Sequence, residues 1–159
     1  MTLDIRDALR RPGQSHPLHA ALTLPEMDVL DERIAFGRIR LDGQYMGAGE
    51  SVRVAGRITA DVRAHCALCL EPVAAAVEAR VDEVFVKDAD PDQYPLDGYK
   101  IELDKLVKDA LLLELPMRFL CAGDCRGLCP VCGINRNLQR CTCQEGSGMD
   151  RPLSALSEQ

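Results

Sequence analysis

Ser51-Val52-Arg53-Val54-Ala55-Gly56-Arg57-Ile58-Thr59-Ala60-Asp61-Val62-Arg63-Ala64-His65-Cys66 is the stretch whose reading decides the fold. Apolar or small residues hold the even positions and mostly polar ones the odd positions. Successive strand side chains point to opposite faces, so this is a long strand with one buried face. After Pro72, Val73, Ala75, Val77, Ala79, Val81 and Phe85 alternate with Ala74, Ala76, Glu78, Arg80 and Asp82. The two runs are expected to pair as an antiparallel hairpin, with Cys66-Ala67-Leu68-Cys69 at its tip.

Toward the N-terminus, Arg33–Leu41 also alternates and predicts a strand with a bulge or bend near Gly37. Gly43 and Gly47-Ala48-Gly49 read as a turn or loop. Leu3, Ile5, Ala8 and Leu9 fit a short helix stopped by Pro12-Gly13. Residues 14–31, with Pro17 and Pro25, read as an extended connector with some buried leucines.

Toward the C-terminus, residues 87–98 are acidic and proline-broken, and read as a mobile loop. Leu103, Leu106, Val107, Ala110, Leu111 and Leu115 then fall at helical spacing. Asp104 is the expected N-cap and Pro116 the stop. Leu112 and Leu113 widen the apolar stripe, which is expected to cover the sheet. The fold class read here is α+β: an antiparallel sheet built on a long hairpin, an amphipathic helix over it, and a C-terminal zinc-knuckle segment. The expected divisions are 1–32 (helix and connector), 33–116 (sheet plus helix), 117–143 (cysteine-rich) and 144–159 (a disordered tail).

The chain has 159 residues, is 47% apolar, lacks Trp, and carries a formal net charge of −6. Such a charge argues against a surface that is basic all over, so nucleic-acid binding would rest on a local patch or on a protein partner. The first residues carry mixed charge with no apolar h-region, and no stretch is long and apolar enough to span a bilayer. A cytoplasmic location is expected. There, clustered cysteines are more often metal ligands than disulfides.

Eight cysteines fall as four close pairs: Cys66/Cys69, Cys121/Cys125, Cys129/Cys132 and Cys141/Cys143. A structural zinc ion takes four thiolates, usually as two pairs. Chain distance joins Cys129, Cys132, Cys141 and Cys143. In Cys129-Pro130-Val131-Cys132-Gly133, glycine accepts the positive φ that a zinc knuckle often needs. Cys66, Cys69, Cys121 and Cys125 remain, and would meet if the helix ends near the hairpin tip. Two structural zinc ions are the favoured reading. The alternatives are one C-terminal zinc site with spare thiols, or iron, which four thiolates also suit.

An open catalytic zinc site would often use His or carboxylate ligands. His65 falls on the solvent side of its strand. Cys66-x-x-Cys69 lies between strands rather than at a helix N-terminus, which argues against a thioredoxin-like pair. There is no phosphate-binding loop and no nucleophile elbow. Asp88, Asp90, Asp92 and Asp97 read as solvated loop charge. No catalytic residue is expected. Residues 117–143 hold Arg118, Arg126, Arg136 and Arg140 against one acid, Asp124, formally +3. These arginines, with Asn135, Asn137 and Gln139, are RNA-contact candidates; the plainer reading is that they bond thiolates or are merely exposed.

Three segments together carry a resemblance. They are Cys66-x-x-Cys69-Leu70-Glu71-Pro72, then Ile101-Glu102-Leu103-Asp104-Lys105-Leu106-Val107 running to Pro116, then Cys125-Arg126-Gly127-Leu128-Cys129-Pro130-Val131-Cys132-Gly133-Ile134-Asn135 running to Cys141-x-Cys143. Over roughly residues 33–143 the chain resembles the YceD family of bacteria and chloroplasts. The resemblance implies a role in accumulation of large-subunit (23S) ribosomal RNA and in large-subunit biogenesis, without enzymatic activity. Its implied partners are that RNA, a pre-ribosomal particle or a large-subunit ribosomal protein, with no membrane and no small-molecule substrate. An iron–sulfur or rubredoxin-like electron carrier, and a zinc-stabilised adaptor of transcription or translation machinery, are the alternatives.

Overall fold

The alternating run around Val54 forms an interior strand of a large sheet. The structure, a computed structural model, describes residues 1–29 and 32–143. The tail expected over 144–159 lies outside the described residues. In chain order the elements are β1 (Thr2–Asp4), α1 (Arg6–Arg10), β2 (Ser15–Leu22), β3 (Met27–Val29), β4 (Glu32–Ala48), β5 (Ser51–His65), β6 (Pro72–Val86), β7 (Tyr94–Asp97), β8 (Lys100–Glu102) and α2 (Leu103–Glu114). The chain divides into two compact units, one from Met1–Ala64 and Ala74–Met117, the other from His65–Val73 with the residues from Arg118 onward.

In the first unit the strand order is β1-β8-β7-β6-β5-β4-β2, with β3 also on β4. The β5–β6 hairpin forms as its alternation predicts. Val52, Val54, Ile58, Ala60, Val62 and Ala64 are buried, and across the hairpin so are Val77, Ala79, Val81 and Phe85. Each Val, Ile or Phe buried this way contributes about 1.5–3 kcal/mol. The ion pairs Arg53–Asp82 and Arg57–Glu78 cross between the strands on the solvent face.

The expected bulge is present. Phe36 faces Val62 and Ile39 faces Ala60, so Gly37 and Arg38 together oppose Asp61. Other expectations are corrected. Gly43 and Gly47 lie inside β4 rather than in a turn, and the chain reverses between Ala48 and Ser51. A Cβ on Gly43 would stand 2.2 Å from the Ala55 carbonyl oxygen, and one on Gly47 would stand 2.2 Å from that of Ala8 in α1. These glycines mark close backbone approach, not chain reversal. Residues 14–31 are no mere connector: β2 pairs along β4 from Ser15↔Met46 to Leu22↔Ile39, burying Leu18, Ala20 and Leu22. Pro17 is accommodated because β2 is at the end of the strand order, where a missing N–H need not break a ladder. The acidic stretch 87–98 contains β7, which pairs in parallel with β6.

The expected short helix is split into β1 and α1, since Thr2–Asp4 pair with Lys100–Glu102. α2 ends before Pro116 as expected, and Leu103, Leu106, Val107 and Leu111 are its buried stripe. Its N-cap is Glu102 rather than Asp104, and the cap makes no side-chain hydrogen bond. Asp104 instead pairs with the amino group of Met1, which β1 brings to the helix start. Leu113 does not widen the stripe; it is 85% exposed. On β7, the Tyr94 hydroxyl donates to Asp109 of α2 at 3.2 Å, and the Lys105 ammonium lies 5.1 Å from the Tyr94 ring centre.

Candidate metal centres

The second unit has few buried apolar residues. Among its described residues these are Cys66, Cys69, Phe119 and Cys129. Three of the four are cysteines, so the sulfurs are central to whatever orders this unit. Its backbone is closed by a small set of hydrogen bonds. The Ala67 N–H donates to the Phe119 carbonyl at 2.8 Å, and the Leu128 N–H to the Leu68 carbonyl at 2.9 Å. These two bonds join the hairpin connection to the segment after α2.

The two Cys-x-x-Cys turns share one geometry. Leu70 donates its N–H to the Cys66 carbonyl at 2.9 Å, and Gly133 donates to that of Cys129 at 2.8 Å. The residue after the second cysteine is left-handed in both, with φ +60° at Leu70 and +73° at Gly133. Glycine adopts this conformation freely, as the sequence reading anticipated at Gly133. Leucine does not, so the first turn is strained.

The structure gathers the eight cysteines into two groups. Cys66, Cys69, Cys121 and Cys125 form one, and Cys129, Cys132, Cys141 and Cys143 the other; within each, all sulfurs lie within 4.8 Å of one another. In the first group, Sγ of Cys66 is 3.7 Å from that of Cys125, and Sγ of Cys69 is 3.5 Å from that of Cys121. Four sulfurs at about 2.3 Å from one ion sit about 3.8 Å apart, so this spacing suits a tetrahedral metal. It is far too long for an S–S bond, and all eight cysteines are free. Both groups could therefore hold a metal ion.

The electrostatics point the same way. Burial disfavours a thiolate at Cys66, but N–H donors from Cys121, Leu68 and Cys69 outweigh it and hold its pKa at about 6. The N–H groups of Cys132 and Val131 do the same for Cys129, also at about 6. Cys121 is pushed up to about 12 by Cys125 and Cys69, and Cys143 to about 12 by Cys132. In the first group donors from Asn137 and Gly127 hold Cys125 below the usual thiol range as well, while Cys69 and Cys121 lie above it; in the second, Cys141 and Cys143 lie above it, pushed up by the neighbouring sulfurs, because thiolates this close repel. A divalent cation removes that repulsion.

Asn137 is a supporting residue whose role the sequence reading left open. Its amide donates to Sγ of Cys125 at 3.2 Å, while its Oδ1 accepts from the Arg126 N–H at 2.8 Å. The side-chain amide of Asn135 donates to Glu71 at 3.3 Å. Both asparagines are engaged inside the unit. Asn-x-Asn six residues before Cys141 is the signal that could have marked them as knuckle wiring.

Of the four arginines singled out, Arg126, Arg136 and Arg140 line an open depression of about 600 Å³ with Gln139, Cys141 and Cys143. Arg118 is exposed and is not among its lining residues. Asp124, the one acid of residues 117–143, is likewise not among them. His65 is exposed, at the end of β5. No helix among the described residues is long and apolar enough to cross a membrane.

Comparison with known proteins follows the same residues. An uncharacterised protein of Mycobacterium tuberculosis is 34% identical over 145 residues, covering 84% of this chain and 70% of its own. One of Mycobacterium leprae is 31% identical, covering 85% and 67%. The Arabidopsis thaliana protein named large ribosomal RNA subunit accumulation protein YCED homolog 1, chloroplastic, is 32% identical over 68 residues, covering 42% of this chain and 21% of its own. No solved structure matches. The family model described as large ribosomal RNA subunit accumulation protein YceD matches residues 54–158, which include all but the first three residues of the β5–β6 hairpin, α2 and all eight cysteines; the chain belongs to the YceD family.

Proposed function

We propose that this protein is a non-enzymatic, zinc-binding factor that supports accumulation of large-subunit (23S) ribosomal RNA and biogenesis of the large subunit. In this reading, Cys66, Cys69, Cys121 and Cys125 hold one structural zinc ion. Cys129, Cys132, Cys141 and Cys143 hold a second. Each ion supplies folding free energy to a unit that buries little else, and each site is closed, with four sulfurs and no open position for a substrate.

The observation that carries the RNA contact is the depression lined by Arg126, Arg136 and Arg140 beside Cys141 and Cys143. Guanidinium groups bind phosphate oxygens bidentately, and their clustering in a chain of net charge −6 gives a local site for a polyanion. The names of the family and of its plant relatives refer to accumulation of large ribosomal RNA, which supports reading that polyanion as ribosomal RNA. The metal segment would then order the arginines against ribosomal RNA, alone or together with a large-subunit ribosomal protein.

Crosslinking of the tagged protein to RNA in cells tests this reading. Enrichment of large-subunit ribosomal RNA is expected, and should fall in an Arg126→Ala/Arg136→Ala/Arg140→Ala variant. No enrichment over untagged cells would refute the RNA contact. Metal analysis decides between zinc and iron: a colourless protein with two zinc equivalents is expected, and a coloured iron protein would favour an electron carrier.

A further inference from the structure

The solvent face of the sheet in the first unit carries a charge pattern that the metal segment does not explain. Away from the β4 bulge Arg53 and Arg57 each meet an acid on this face, although Arg80 on β6 forms no ion pair among the described residues. Arg53 binds Asp82 at 2.5 Å, Arg57 binds Glu78 at 2.8 Å, and His19 lies 2.8 Å from Asp42. Around the β4 bulge the pattern changes. Arg38 and Arg40 on β4 and Arg63 on β5 are exposed, and none forms an ion pair among the described residues. The neighbouring β6 residues are Ala74 and Ala76, not acids. Asp61 is the one acid on this part of the face, leaving it formally +2.

The bulge produces the arrangement. Because Gly37 and Arg38 together oppose Asp61, Arg38 joins Arg40 on the solvent side instead of pointing into the core. Gly37 lies directly over Asp61, whose Cβ would be 3.2 Å from any Cβ placed there. A larger residue at that point would fill the space. With alanines on one side and glycine on the other, an open trough of about 500 Å³ remains between Arg38 and Arg63. A smaller hollow continues it past Arg40 and Thr59.

We propose that this trough is a second RNA-contact surface, in which Arg38, Arg40 and Arg63 bind the phosphodiester backbone. The proposal rests on the reading of the protein as an RNA-binding factor, and adds a site outside the metal segment. The charge favours a polyanion. No tyrosine or phenylalanine lines the trough, so bases have no stacking platform and recognition is of phosphate, independent of sequence. Asp61 restrains the affinity by repelling the same phosphates.

The test uses the full-length, metal-loaded chain and a fluorescein-labelled single-stranded RNA of about 20 nucleotides, long enough to follow more than one contact. Affinity is followed by fluorescence polarisation across a salt titration. Arg38→Ala/Arg40→Ala/Arg63→Ala is expected to weaken binding about tenfold or more. It should also flatten the log–log salt dependence by about 2, since each phosphate contact on a single strand contributes about 0.7. Asp61→Asn should tighten binding several-fold, a gain that misfolding cannot mimic. If the triple variant and Asp61→Asn both bind as the parent does, while Arg126→Ala/Arg136→Ala/Arg140→Ala loses binding, the trough is not an RNA site and the functional reading stands. If the parent binds no RNA, the functional reading falls and takes the trough with it. Binding of a poly-glutamate peptide in place of RNA would assign the trough to an acidic protein segment and overturn the proposal.

Discussion

Leu70 and Gly133 occupy the same place in two equivalent turns, and only one of them suits it. A left-handed leucine costs about 1–2 kcal/mol, and glycine loses back about 0.5–1 of that through its freer unfolded chain. Leu70 is 63% exposed, so little burial is at stake. Leu70→Gly should therefore raise stability by up to about 1 kcal/mol in chemical denaturation, whereas Leu70→Ala, which keeps the strain, should not. Asn137 gives a second residue-scale expectation. Removing its N–H···S bond to Cys125 with Asn137→Ala should weaken metal affinity about 10–100-fold, read by competition with a chromogenic chelator. An unchanged affinity would show that the bond does not tune the sulfur. Gly133 was legible in the sequence because glycine after a knuckle has one common use. The strain at Leu70 was not, since nothing in a leucine announces a positive φ. Asn137 was legible only as one of two alternatives, a polar group near cysteines.

At the level of elements, strongly periodic segments were readable and punctuated ones were not. The β5–β6 hairpin and α2 follow directly from periods of two and 3.6, because tertiary packing and local pattern agree there. β2 was hidden by Pro17, although Leu18, Ala20 and Leu22 alternate; an edge position tolerates the proline that a central strand would not. Gly43 and Gly47 imitate a turn because glycine marks both chain reversal and close approach. α2 offers a direct test of which leucines matter. Leu111 is fully buried and Leu113 is 85% exposed. Leu111→Ala should cost about 2–5 kcal/mol, as large-to-small changes in a core do. Leu113→Ala should change the urea midpoint little; a comparable loss from both would place Leu113 in a contact beyond this chain.

For the whole molecule, the division into two units predicts two separable transitions. The first unit is held by an apolar core. The second buries Cys66, Cys69, Phe119 and Cys129 and little else among its described residues. Metal removal by a strong chelator under reducing conditions should abolish amide-exchange protection over residues 65–73 and 118–143 while β4 and β5 stay protected. Simultaneous loss in both units would show that they fold as one, and that a single unfolding free energy describes the chain. The grouping of the cysteines has a further consequence for how the protein is made. Cys69 and Cys121, now 3.5 Å apart, are 52 residues apart in the chain. At roughly 5–20 residues per second, the hairpin tip leaves the ribosome about 3–10 s before its partner thiols do. The second cluster spans only residues 129–143 and closes almost as it is synthesised. The first is born half-complete, and its two waiting thiols pass a brief window in which an oxidant or a stray metal could claim them before the rest of the chain arrives.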